Sequence, residues 1–201
     1  MTTPALKRSI RHAAFAAAAL FMAPAFAHNG DNHAVLSLSA GFVHPFSGVD
    51  HLLAMLAVGV WAAQNRRPAV WLLPIVFPLM MGLGAILSFL GLSISGVEAG
   101  IAGSLAVMGL LTAFAIRLPV RISIAMVSLF AMAHGLAHGA ELPQGSSFAF
   151  YAAGFILATA LLHLLGVMIG AIGTKNIIKH GIRLSGAAAA ATGMVLLIPL
   201  V

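Results

Sequence analysis

Residues 69–91 read AVWLLPIVFPLMMGLGAILSFLG. No charge interrupts this run, and a helix of that length crosses the roughly 30 Å of hydrocarbon in a bilayer. Arg66 and Arg67 precede it, and the uncharged SISG at 93–96 follows it. Outward from this run, comparable apolar stretches occupy 46–64, 97–116, 122–139, 148–173 and 182–201, separated by short polar loops. The pattern predicts an all-α membrane protein, a bundle of six transmembrane helices spanning 46–201.

Composition supports this. The chain is 61% hydrophobic and 7% charged, against roughly 25% charged residues in soluble domains, which excludes a water-soluble fold. With no cysteine, disulfides and thiolate metal sites are excluded, and a metal would need imidazole, carboxylate, thioether or backbone oxygen. The net charge of +6 sits in small groups between apolar runs. That placement speaks for membrane topology and against nucleic acid.

Residues 1–27 have the form of a cleavable signal peptide: Lys7, Arg8 and Arg11, an apolar stretch from Ala13 to Ala23, then Ala25-Phe26-Ala27 as a cleavage site. The mature chain would begin at His28, with 28–45 a short periplasmic segment. Basic residues alternate between loops: Arg66 and Arg67, none in SISG, Arg117 and Arg121, none in PQGSS at 143–147, then Lys175, Lys179 and Arg183. The positive-inside rule places the basic loops in the cytoplasm. The export signal independently puts His28 outside. The expected localisation is a bacterial inner membrane, multi-pass, with both mature termini periplasmic. Pro74 and Pro78 fall inside the second span and predict a kink.

Ionisable residues within spans are costly and mark function by default. Here they gather in two stretches, HPFSGVDH at 44–51 and HGLAHGAE at 134–141. With Pro45 as an early helical residue, His44 and His51 fall two turns apart on one face of the first span, with Asp50 adjacent. His134, His138 and Glu141 share one face of the fourth span. His51 and His134 then lie at matching depth, on the order of 8–10 Å below the outer surface, with His44, His138 and Glu141 in a shallower tier. Glu98 begins the third span on the same side. His163 is deeper, in the fifth span, as an inner relay or an interhelical hydrogen bond. His28 and His33 flank Asp31 on the external segment and would assist capture, and His180 falls in a basic loop.

Imidazole with carboxylate suits Ni²⁺, Zn²⁺, Cu²⁺ and Co²⁺. Three functions fit these residues: a permease, an intramembrane zinc hydrolase with Ser47 near its site, or a protein that binds metal as a sensor or store. No Walker motif or nucleotide-binding domain is present, and no organic cofactor is expected.

The two stretches resemble the signatures of the HupE/UreJ family of small membrane proteins, usually encoded with nickel hydrogenases or ureases. HPFSGVDH is similar to its H-x5-D-H motif. AHGLAHGAE at 133–141 is similar to FHG-x-A-H-G-x-E, with Ala133 where Phe is usual. The resemblance covers the mature chain. It implies nickel permeation, with His44, Asp50, His51, His134, His138 and Glu141 at the matching positions, Ni²⁺ as cargo with Co²⁺ or Zn²⁺ also suited, and cytoplasmic nickel-enzyme maturation proteins as partners.

Overall fold

The computed structural model describes residues 33–141, 145–173 and 176–200. The signal-peptide reading of 1–27 and the expectations for His28 lie outside these residues. Among the described residues every regular element is helical: α1 His33–Ser47, α2 Val49–Asn65, α3 Ala69–Phe89, α4 Val97–Phe114, α5 Val120–Ala140, α6 Phe148–Ile172 and α7 Asn176–Leu197, ending in a 3₁₀ turn at Ile198–Leu200. Five helices are long and apolar enough to cross a bilayer, and α1 with α2 forms a sixth span if the bent pair is one crossing.

The surface is inverted relative to a soluble protein. Leu79, Leu129 and Met168 are exposed, whereas Ser104, Thr112, Ser123, Thr159 and three histidines are buried. In lipid the apolar exterior costs nothing, and polar side chains are excluded from the lipid face. This is a multi-pass membrane protein.

Close helix packing rests on glycines, because lipid tails supply no hydrophobic drive for helix association. A Cβ on Gly59 of α2 would strike the His163 carbonyl of α6, one on Gly135 of α5 would strike the Met81 carbonyl of α3, and one on Gly109 of α4 would strike the Ala190 amide of α7. The residue pairings also give direction. Leu56 meets Gly166 and Val60 meets Gly170, so α2 and α6 run parallel. Gly135 meets Met81 and Gly139 meets Ser88, so α3 and α5 run parallel, whereas Gly186 meets Ala113 and Gly193 meets Ala102, so α4 and α7 are antiparallel. Strict alternation of spans from α2 to α7 requires this set of directions.

Two differences from the sequence reading matter for the site. The first span is not one straight helix. Gly48 is extended (φ −110°, ψ 128°), and α1 meets α2 at 84°. Pro45 removes one α1 hydrogen bond just before the break, so His44 ends one helix and His51 begins another. With 17 residues, α2 is about 26 Å long, short of a full crossing. The segment 28–45, read as a short external stretch, is helical from His33 onward and packs along α6. The second difference is α7, which starts at Asn176 rather than near 182, so His180 rides on a helix and not in a loop. Arg183 Nε donates to the Ala113 carbonyl at 2.8 Å, anchoring the charged turn to the end of α4. The other basic-loop end is fastened too: Trp61 Nε1 donates to the Ile116 carbonyl at 2.8 Å and Arg117 Nε to the Gln64 carbonyl at 2.9 Å.

Candidate metal centre

The break at Gly48 brings three helix ends together. His44 comes from the last turn of α1, Asp50 and His51 from the first turn of α2, His134 and His138 from the last turns of α5, and Glu141 caps α5. The four imidazoles form a chain of ring contacts: His134 to His51 at 5.8 Å, His51 to His138 at 4.6 Å, and His138 to His44 at 4.7 Å between centroids. His44 and His51 are 6.2 Å apart, so the two residues expected on one helix face meet across the bend instead.

In three of these rings one nitrogen is held and the other is free. His134 Nδ1 lies 2.8 Å from the Phe130 carbonyl, His51 Nδ1 2.9 Å from Asp50 Oδ1, and His138 Nδ1 3.0 Å from Glu141 Oε2. Each partner is an acceptor, so each Nδ1 donates. The Nε2 atoms of His51, His134 and His138 are buried without a hydrogen-bond partner. Metal-binding histidines are oriented in this way, with one nitrogen fixed and the other offered as a lone pair. His44 is more adaptable: Nδ1 is 2.9 Å from the Tyr151 hydroxyl, which can donate or accept, and Nε2 is 3.5 Å from Glu141 Oε2.

Ligand atoms of His44, His138 and Glu141 all lie within 4.8 Å of one another, a set that could close on one ion. Asp50 is placed to orient His51 and carries negative charge beside the cluster at the start of α2, where a helix N-terminus favours it. The hydrogen bond from His138 holds the half-exposed Glu141 carboxyl below the usual carboxylate range, against the opposing effect of its partial burial. Glu141 also lines a cavity of about 430 Å³ together with Glu98, Ser88 and Ser93. Glu98 therefore stands in the vestibule beside the cluster rather than within it. His33 begins α1. His163 is fully buried on α6, away from the four-ring chain.

Sequence reasoning missed three contributors. Tyr151, the sole tyrosine of the chain, holds His44. Phe155 packs on both His44 and His138, at 5.4 Å and 4.7 Å. Gly48 makes the bend, and a Cβ there would lie 2.6 Å from Asp50 Oδ1 and 2.9 Å from His51 Nδ1. The i, i+4 row Tyr151–Phe155–Thr159–His163 was the available signal for the first two.

A multi-pass helical membrane protein with imidazoles and carboxylates converging at one end of its bundle is the class defined by this fold and site. The family model described as HupE / UreJ protein matches residues 16–196, and the chain belongs to that family. It is similar to Protein HupE of Rhizobium leguminosarum bv. viciae, 40% identical over 159 residues that make up 79% of this chain and 83% of the relative. No solved structure matches the chain.

Proposed function

We propose that this protein is a permease that admits a divalent transition-metal ion, foremost Ni²⁺, from the periplasm to the cytoplasm of a bacterium. The observation that carries this reading is the set of three buried, unpartnered Nε2 atoms on His51, His134 and His138, each with its Nδ1 already engaged. A carboxylate-lined vestibule at Glu98 and Glu141 would concentrate cations. His44, His138 and Glu141 would receive the ion first, and His51 and His134, with Asp50 behind them, would take it inward. His28 and His33 would assist capture at low metal. Membership of the HupE/UreJ family supports nickel over the other ions that these ligands suit. Maturation proteins of nickel enzymes would receive it in the cytoplasm.

The deciding test is radiolabelled nickel uptake in cells lacking other nickel importers. Expression should raise uptake well above background. Nickel bound by the membrane fraction with no intracellular accumulation would favour a storage or sensing protein. For orientation, reporter fusions at Gln64–Pro68 should read cytoplasm and those at Pro143–Ser147 periplasm. The same side for both would refute the topology.

Gly48→Ala tests the bend. The added methyl group meets the Asp50–His51 pair, and disturbing a histidine's supporting partner lowers metal affinity by roughly 10–100-fold. Nickel affinity of the purified variant should fall within that range while the membrane-inserted yield is unchanged. Wild-type affinity would show that the Asp50–His51 contact does not support the site.

A further inference from the structure

Below the four-histidine cluster, α6 carries a second polar step that the outer site does not use. His163 is fully buried, and neither of its ring nitrogens has a hydrogen-bond partner. Thr159, one turn earlier on the same face, is also fully buried with its hydroxyl unpartnered. A helical threonine ordinarily satisfies its hydroxyl on a carbonyl of the preceding turn, so this exception needs a reason. Lone imidazoles survive inside a membrane bundle when they bond to a neighbouring helix or serve an ion. No such bond is made here.

The helix opposite supplies what is missing. Residue 78 is proline, so the Pro74 carbonyl of α3 has no amide donor at its usual helical position, and it lies near the His163 ring without making a hydrogen bond to it. Between the two levels lies one side chain: the Phe77 ring is edge-on to His134 at 5.6 Å and to His163 at 5.0 Å. A cation leaving His134 thus meets an aromatic ring, then an imidazole, a hydroxyl and an open carbonyl. Nitrogen and oxygen donors of this kind suit the same borderline divalent ions as the outer cluster.

We propose that His163, the Thr159 hydroxyl and the Pro74 carbonyl form an inner binding station for the divalent cation, separate from the outer cluster and reached past Phe77. This rests on the permease reading for its purpose, though not for its ligands. At the same level the backbones of α2 and α6 are in close contact, since a Cβ on Gly59 would strike the His163 carbonyl. Passage between these two helices would require their seam to part.

The test measures binding and transport separately on the full-length protein. Equilibrium dialysis of ⁶³Ni²⁺ with protein in lipid nanodiscs should give two bound ions at saturating nickel, and His163→Asn should lose one of them while the tighter site keeps its affinity. Thr159→Val, which keeps shape and removes only the hydroxyl, should weaken the second ion by about tenfold, as for loss of a supporting contact. In proteoliposomes both variants should lower the maximal rate and leave the half-saturating nickel concentration unchanged, because capture occurs above. Unchanged stoichiometry in His163→Asn overturns the station whatever transport does, and covers the case of a trapped water satisfying the ring. Two ions bound by a wild type that moves none would instead defeat the permease reading and leave the station standing. A His163→Asn protein that fails to fold passes the decision to Thr159→Val, where wild-type binding of both ions overturns the proposal.

Discussion

His138→Ala should abolish nickel uptake at limiting metal while the protein still inserts into the membrane in normal amounts. His138 links the two ends of the cluster: it contacts His44 and His51, bonds Glu141, and belongs to the one group of described residues whose ligand atoms come within 4.8 Å of each other. Its removal deletes a ligand, frees Glu141 to swing into the vestibule, and leaves His51 without its nearest ring. Deleting an orienting partner alone lowers metal affinity by roughly 10–100-fold, so loss of a ligand together with the partner of Glu141 should exceed that. Insertion should survive because it follows hydrophobicity and flanking charge, which are unaltered. Asp50→Asn should fall within the 10–100-fold range, since it weakens the orientation of His51 without removing a ring. Uptake by titrated ⁶³Ni²⁺, normalised to membrane-inserted protein, distinguishes the two. Full uptake in both would mean that the cluster is not on the transport path.

Gly135→Leu should prevent stable folding, whereas Gly103→Leu should be tolerated. At Gly135 an added side chain runs into the Met81 carbonyl and the Ala85 amide, backbone atoms that cannot rotate away, so α3 and α5 must separate. Overpacking typically costs about 1–3 kcal/mol, and a backbone collision along a whole seam belongs at or above the top of that range. At Gly103 nothing lies within 4 Å of the added carbon, and the change also relieves the helix of a residue that costs up to about 1 kcal/mol relative to Ala. The comparison is made on detergent-solubilised protein, by monodisperse yield and by the temperature at which half is lost. Equal behaviour of the two variants would mean that the α3–α5 seam does not depend on close backbone approach.

The spans were legible in the sequence because lipid imposes a single rule on every residue facing it. Charge-free stretches of bilayer length located α3 through α6 to within a few residues, and the two histidine stretches drew attention to one end of the bundle. The bend was not legible. Read as part of an unbroken run, HPFSGVDH places His44 and His51 on one face, and only the position of α6 shows why a sharp turn at Gly48 forms: α1 lies against the first half of that helix and α2 against the second. Tyr151 and Phe155 were hidden for a related reason, since an aromatic residue in an apolar helix carries no mark of what it faces. The start of α7 was misplaced because charged residues on a helix end resemble a loop when their anchoring carbonyls, here on α4, are not in view.

The engaged Nδ1 atoms have a consequence for how protons are counted during loading. A histidine that must shed a proton before it can bind a metal makes filling sensitive to acid and ejects a proton for each ligand. The Phe130 carbonyl can only accept, so His134 keeps its proton on Nδ1, and Asp50 and Glu141 hold His51 and His138 in the same tautomer. In their neutral form these three rings present Nε2 as a lone pair toward the cluster, so an ion meeting a neutral ring would exchange water for imidazole without moving the Nδ1 proton. Under the permease reading, an ion loaded in this way would bring both of its charges to a site where the Asp50 and Glu141 carboxylates lie beside it, and a membrane potential negative inside would act on that double charge.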